Sequence, residues 1–175
     1  MMNEVSLVRP TIKLQKQYLE FYQEWKDSGE DMIPWVIKKD PSDFMAMLTF
    51  IENNANGVNQ PAGWVPDSTY WLIDSKQNVL GAVNIRHSLT DALFNAGGHI
   101  GYGIRPSARR KGFATRILAL SLEKTKELGI DKVLVVCDKG NIGSERTIIK
   151  NGGEPDEDFI EENGNVINRY WIDNK

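Results

Sequence analysis

The chain of 175 residues is long enough for one compact domain with a single core, and 41% of its residues are hydrophobic. Its formal net charge of -3 argues against general nucleic-acid binding, which usually needs a basic face. Its one cysteine, Cys137, excludes an internal disulfide, and one cysteine with two distant histidines makes no recognisable zinc site.

Two further features of the sequence concern location. The first ten residues, MMNEVSLVRP, contain no apolar h-region, so no signal peptide is expected. No apolar run approaches the roughly 18 residues of a membrane span. We therefore expect a cytoplasmic protein without a membrane partner.

The first third of the chain predicts one strand and two helices. Residues 4–10 are typical of a strand that Pro10 closes. Apolar residues at helical spacing predict a helix over 11–29 and another over 40–54. Asp40 or Ser42 is the expected cap of the second helix.

The middle of the chain predicts a loop and three strands. Residues 55–69 are rich in Gly, Pro and Asn, and a loop this long in a small domain is often functional. Two strands, 69–74 and 79–87, form a predicted hairpin. A third strand over 97–106 contains four glycines.

The last part of the chain alternates helix and strand before a final hairpin. Residues 112–128 carry the clearest helical stripe of apolar side chains. A nearly all-apolar strand over 131–138 and a helix over 141–153 follow. A hairpin over 158–173 turns at Asn163–Gly164. Since no repeat or linker interrupts this order, we predict a single mixed α/β domain over 1–175.

The strongest local feature is a basic cluster directly before the helix at Gly112. Backbone N–H groups at a helix start lack internal partners, and the helix dipole places positive charge there. With the nearby cations, this predicts a site for a small, multiply charged anion such as a pyrophosphate. The alternative is a solvated basic turn before an ordinary helix. The cations are Arg105, Arg109, Arg110, Lys111 and Arg116.

Two common phosphate-binding motifs do not fit this segment. The G-x-x-x-x-G-K-[ST] motif of P-loop proteins is absent from the sequence. The segment GYGIRP begins like G-x-G-x-x-G, but Pro106 stands in place of the third glycine. It also lies within a predicted strand rather than after one, which argues against a Rossmann site.

The segment from Arg109 to Ala114, RRKGFA, resembles the R/Q-x-x-G-x-G/A signature of the GNAT acetyltransferase superfamily. It lies between the expected strand and helix, and VLVVCDKGNIGSERTIIKNGG resembles the next strand and helix of that family. The resemblance spans nearly the whole chain and is strongest from His99 to Gly153. The chain is most similar to a poorly characterised bacterial branch of acetyltransferases.

This resemblance implies a mostly antiparallel central sheet of about seven strands, with the fourth and fifth splayed apart and about four helices around it. It also implies that the protein transfers an acetyl group from acetyl-CoA to an amine of a small molecule or peptide, without a metal. Whether the protein forms a homodimer is left open by the resemblance.

The resemblance also assigns the cofactor site. The amides of Arg110 to Thr115 would hold the pyrophosphate, and the strand edge at Tyr102–Ile104 would pair with the pantetheine. Gly101 and Gly103 would allow a bulge that opens the slot. Asn141 and Ser144 would face the same cofactor, or act only as helix caps. The predicted cofactor-binding residues are Tyr102, Ile104, Arg109, Arg110, Lys111, Gly112, Phe113, Ala114, Thr115, Asn141 and Ser144.

The catalytic residues are harder to assign because Ile148 stands where many family members carry a tyrosine acid. Tyr170 and Tyr102 are the candidate substitutes, with packing in the core or at an edge as the alternative for each. His99 is the candidate base, against a buried structural histidine or a water relay. We do not expect Cys137 to be a nucleophile.

The acceptor is expected across the sheet, near the first two helices and the loop through Trp64. Acidic side chains and Trp35 in this region could receive a cationic amine. Three alternative functions are considered: an N-acetyltransferase, a CoA-binding sensor without turnover, and a protein-interaction module without CoA affinity. The acidic residues are Asp27, Glu30 and Asp31.

Overall fold

Two antiparallel sheets form the framework of the chain, whose computed structural model describes residues 4–175. The first sheet has four strands in the order β1-β2-β3-β4, and the second has three in the order β5-β7-β6. The strands are β1 Val5–Val8, β2 Asp67–Asp74, β3 Val79–Arg86, β4 Ile100–Ile104, β5 Lys132–Asp138, β6 Glu154–Ile160 and β7 Val166–Asp173.

Four α-helices pack on these sheets: α1 Gln15–Ser28, α2 Phe44–Ala55, α3 Phe113–Glu127 and α4 Ile142–Lys150. The predicted order of strands and helices is confirmed. The sequence did not predict the short 3₁₀ turns or the π turn at Leu93–Gly97. Such turns are only a few residues long and leave no apolar periodicity to read.

The predicted cap of α2 was wrong. Asp43, not Asp40 or Ser42, caps this helix by accepting a hydrogen bond from the Ala46 amide at 3.0 Å. Asp40 instead accepts hydrogen bonds from the amide and hydroxyl of Ser42, at 2.9 and 2.6 Å. A cap must bond an amide two or three positions into the helix, and Asp40 lies too early in the chain to do so.

The four-stranded sheet is covered on both faces, which gives the domain two apolar clusters. On one face, α1 and α2 bury Tyr18, which stacks on Trp71 of β2 with ring centroids 4.3 Å apart. On the other face, Ile117 and Leu118 of α3 are fully buried against the sheet. The sheet therefore separates a side covered by α1 and α2 from a side covered by α3, and α4 packs on α3 and on β5 of the second sheet.

The predicted splay of the fourth and fifth strands is confirmed. β4 and β5 lie in different sheets, and no strand ladder joins them within residues 4–175. In the same part of the chain, no helix is long and apolar enough to cross a bilayer.

Candidate active site

β4 and β5 meet at one end of the candidate site and diverge from there. The His99 amide donates a hydrogen bond to the Leu134 carbonyl at 2.7 Å. The Leu134 amide donates in turn to His99 Nδ1 at 2.9 Å. Beyond this joint a slot opens, with Tyr102 of β4 on one side and Cys137 of β5 on the other.

His99, the predicted base, therefore holds the closed end of the slot. Its side chain is buried, and its Nδ1 lone pair already accepts the hydrogen bond from Leu134. Burial and the nearby positive charge of Arg86 lower the pKa of His99 to about 4. The imidazole is thus neutral at physiological pH, with Nδ1 occupied by the backbone.

The glycines of β4 do not form the predicted bulge, and one of them, Gly103, is required by close packing instead. The β3–β4 register is continuous from the Gly81–Ile104 pair to the Ile85–Ile100 pair, so the bulge was wrong. The Ile33 carbonyl lies where a Cβ of Gly103 would stand. Gly103 lets the segment between α1 and α2 cross β4 closely, and a side chain there would displace this segment.

The turn before α3 forms a concave row of backbone amides. Arg110 and Gly112 both adopt left-handed conformations, with φ values of 61° and 84°. In the part of the chain described, the backbone amides of residues 110–115 donate no hydrogen bond to protein. Successive amides turned inward by such conformations make an anion-binding nest, which the helix dipole strengthens.

The charges around this nest are divided between two roles. Arg105 forms an ion pair with Glu24 of α1 at 3.0 Å. Arg109 forms one with Glu30 at 2.8 Å, and its guanidinium lies 5.0 Å from the Trp25 ring centroid. These two cations therefore attach the turn to α1.

The remaining cations, Arg110, Lys111 and Arg116, are exposed and form no ion pair within residues 4–175. Burial alone would raise the pKa of Glu24, but hydrogen bonds from Arg105 and Ser107 lower it below its ordinary value. Glu24 is thus ionised and neutralises Arg105, which leaves the three exposed cations to act on an anion at the nest.

The start of α4 lies beside the slot. Asn141 caps this helix, since its Oδ1 accepts a hydrogen bond from the Ser144 amide at 3.2 Å. Ile148 is fully buried in the core and offers no proton donor. A tyrosine donor at the slot must therefore come from another element.

The Tyr102 hydroxyl reaches the slot from β4. It is buried near the side chains of Ser144 and Thr147, yet it makes no hydrogen bond of ordinary geometry with either. Burial raises the pKa of Tyr102 to about 12, so the phenol keeps its proton. A ligand that reached this hydroxyl would therefore displace no hydrogen-bond partner within residues 4–175.

The Tyr170 hydroxyl is already engaged. It donates a hydrogen bond to Glu145 Oε1 at 3.0 Å. Burial first, and then this bond to a carboxylate, raise the pKa of Tyr170. Burial also raises the pKa of the nearby Cys137 thiol to about 11, so the thiol stays protonated and is a poor nucleophile.

The opposite face of the sheet carries a polar network that sequence analysis missed. Trp35 Nε1 donates to Asn84 Oδ1 at 3.1 Å, and Asn84 Nδ2 donates to Asp67 Oδ1 at 2.7 Å. Trp64 packs edge-on against Trp35, with ring centroids 5.1 Å apart. Burial raises the pKa of Asp67. Strand alternation on β2 and β3 was the signal that could have placed Asp67 and Asn84 on this face.

The acidic residues predicted for the acceptor are occupied instead. Glu30 binds Arg109, and Asp31 forms an ion pair with Lys38 at 3.2 Å. Asp27 accepts a hydrogen bond from Gln23 at 2.8 Å. Trp35 is the one residue of that predicted group that joins the network on the sheet.

Comparison with solved structures shows the same fold in acetyltransferases. The microcin C7 self-immunity acetyltransferase MccE, in complex with acetyl-CoA and AMP, is 18% identical and has a TM-score of 0.67, covering 97% of this chain and 92% of that chain. Mycobacterium smegmatis RimJ, in complex with CoA-disulfide, is 15% identical, with a TM-score of 0.70 over 97% of this chain and 81% of that chain. The ribosomal-protein-S5-alanine acetyltransferase of Vibrio fischeri is 12% identical, with a TM-score of 0.69 over 100% and 94%.

The family comparison covers most of the chain. The acetyltransferase (GNAT) domain matches residues 6–154. No curated protein matches the sequence. The match runs from β1 to the start of β6 and includes the slot, the nest and the start of α4. The chain belongs to the GNAT acetyltransferase family.

Proposed function

We propose that this protein is an acetyl-CoA-dependent N-acetyltransferase that acts on a primary amine of a small molecule or peptide. The nest of amides at residues 110–115 carries the proposal. Its amides donate to no protein acceptor within residues 4–175, and three exposed cations surround it. A pyrophosphate supplies the acceptors and the negative charge that such a nest lacks.

The slot beside the nest suits the pantetheine arm. β4 ends at Ile104, and the nest follows within a few residues. The edge of β4 that faces β5 is unpaired beyond His99, so an amide-bearing chain can bond to it like an added strand. The free Tyr102 hydroxyl in the slot is a second observation that favours a ligand there.

Acetyl-CoA would supply the activated acyl group, and residues of this chain would assist the proton transfers. In the transfer, the amine nitrogen forms a bond to the acyl carbon while the carbon–sulfur bond breaks. The leaving thiolate needs one proton, and we assign that donation to the Tyr102 hydroxyl. Tyr170 is less suited, because its proton is already held by Glu145.

The amine must lose its proton before or during attack. The His99 Nδ1 atom is occupied by the backbone, and the low pKa of this residue makes it a weak base. Loss of the proton to water therefore accounts for this step better than a histidine base does. Unpaired backbone amides of β4 at the slot can stabilise the carbonyl oxygen as charge develops.

The acceptor would approach from the face that carries Trp35, Asn84 and Asp67. Proteins of this fold include a spermidine N-acetyltransferase chimera and a ribosomal-protein-S5-alanine acetyltransferase. Their names cover both small amines and protein amines. The acceptor of this chain is accordingly proposed only as an amine.

A sensor that binds CoA without turnover is the second candidate, and buried Ile148 at the usual position of the acid favours it. Ligand-dependent unfolding and a CoA-release assay with an amine panel separate the two functions. A ligand at about 100 times its Kd adds about 2.7 kcal/mol to the free energy of unfolding. For a chain of this size, that raises Tm by about 5–11 °C.

If the protein is an enzyme, acetyl-CoA should raise Tm and the assay should show CoA release. If it is a sensor, Tm should rise without CoA release. If neither acetyl-CoA nor CoA shifts Tm at millimolar concentration, the cofactor proposal fails.

A further inference from the structure

The slot contains a second buried polar atom that the described residues leave without a partner. Oδ1 of Asn168 is shielded from solvent and accepts no hydrogen bond within residues 4–175. Asn168 lies on β7, directly opposite Cys137 of β5. A buried carbonyl oxygen without a donor is costly, and it needs an explanation in a folded protein.

The position of Asn168 places it among the slot residues. Side chains directly opposite each other in an antiparallel pair share one face, so Asn168 and Cys137 lie side by side. Tyr170 follows two positions later on the same face and packs in the cluster that also contains Cys137. Tyr102 of β4 packs against that same cluster. Asn168 and Tyr102 therefore both lie next to the cluster that contains Cys137.

We propose that Asn168 Oδ1 accepts a hydrogen bond from the pantetheine amide N–H nearest the thiol. The inference rests on the proposed function. An amide oxygen can only accept, so its partner must be a donor, and a pantetheine amide provides one. In coenzyme A, two methylene groups separate that nitrogen from the sulfur. One ligand can thus engage Asn168 through its amide and Tyr102 through its sulfur.

Asn168→Leu tests this assignment because it replaces the unpaired amide with an apolar group of similar size. We expect acetyl-CoA to bind about tenfold more weakly, as measured by calorimetry. Binding of 3′-phosphoadenosine 5′-diphosphate, which has the pyrophosphate but no pantetheine, is expected to stay unchanged. Because the oxygen has no partner in the free protein, the Tm without ligand should stay level or rise.

A purely structural role predicts a different pattern: a lower Tm without ligand and an equal loss of affinity for both ligands. That pattern, or unchanged acetyl-CoA affinity in the variant, would overturn the inference while wild-type binding upholds the proposed function. If the wild type binds neither ligand, the proposed function itself fails.

Two more variants complete the experiment. Asn168→Ala removes the same oxygen where leucine prevents folding, and it should show the same selective loss of acetyl-CoA affinity. Asn163→Ala is the matched control, because Asn163 lies exposed at the tip of the same hairpin and its side chain, within residues 4–175, bonds only the Asn165 amide, at 2.9 Å. It should bind both ligands as the wild type does, and a loss equal to that of Asn168→Leu would overturn the inference.

Discussion

Replacing Tyr102 by phenylalanine separates proton donation from folding more cleanly than any other change in the slot. The hydroxyl is buried and has no hydrogen-bond partner in the described structure, so its removal breaks no hydrogen bond. Removing a buried hydroxyl that has no hydrogen-bond partner leaves the free energy of unfolding unchanged or raises it by about 1 kcal/mol. For a chain of this size, Tm then stays level or rises by about 2–4 °C.

The catalytic effect of the same change is expected to be large. Proton donation by a positioned side chain contributes about 10²–10⁴-fold, so kcat of Tyr102→Phe should fall by at least about 100-fold. Acetyl-CoA affinity should change little, because the role proposed for the hydroxyl is to protonate the departing sulfur. The assay is steady-state CoA release with an amine that the wild type accepts, alongside calorimetric binding of acetyl-CoA.

Tyr170→Phe is the matched control. It removes a hydrogen bond to a carboxylate, at 3.0 Å from Glu145, which contributes about 1.5 kcal/mol. Tm should fall by about 3–6 °C with kcat reduced less than tenfold. If Tyr102→Phe keeps its kcat while Tyr170→Phe loses it, the assignment of the acid is refuted. If both variants keep their kcat, the thiolate takes its proton from water.

Three other predictions test the nest, the ion pair of Arg109 and the closed end of the slot at His99. Gly112→Asp should abolish acetyl-CoA binding, whereas Gly112→Ala, which carries the same left-handed strain of about 1–2 kcal/mol, should retain measurable affinity in calorimetry. Arg109→Ala should lower Tm because it removes the ion pair with Glu30. Arg110→Ala should leave Tm unchanged and weaken acetyl-CoA binding, with a larger loss of affinity at low salt. Because the pKa of His99 in the fold, about 4, lies below the unfolded value, this residue should contribute a loss of about 2 kcal/mol of unfolding free energy as pH falls from about 6.5 to 4. Denaturant titrations over this pH range should show a smaller loss for His99→Asn than for the wild type.

Periodicity and turn chemistry predicted most of the fold. The apolar stripe of α3 and the all-apolar β5 were found because their patterns extend over several turns or residues. The cap of α2 was wrong because three acidic or hydroxyl residues stand within four positions, and only backbone geometry selects Asp43. The bulge in β4 was wrong because glycine satisfies close packing as well as a bulge, and the Ile33 carbonyl that requires it is distant in sequence.

Some parts of the candidate site could be predicted from the sequence, and others depend on contacts between distant positions. The basic turn was visible as a local cluster, but the pairing of Arg109 with Glu30 joins positions far apart in the chain and cannot be read from spacing. Asn168 carried no local signal, because an asparagine in a hairpin strand is unremarkable until its partners are known. The difference between Tyr102 and Tyr170 depends on a single contact with Glu145, which only the tertiary structure shows.

The separation of the two sheets also shapes how the chain folds during synthesis. All four strands of the first sheet precede residue 105, and β5 begins only at Lys132. At about 5–20 residues per second, a ribosome needs roughly 1–6 s to reach it from Ile104. Throughout that interval, the edge of β4 that later borders the slot is exposed to other nascent chains. Gly101 and Gly103 are poor strand formers, and they make this edge a weak template for aggregation while the rest of the chain is made.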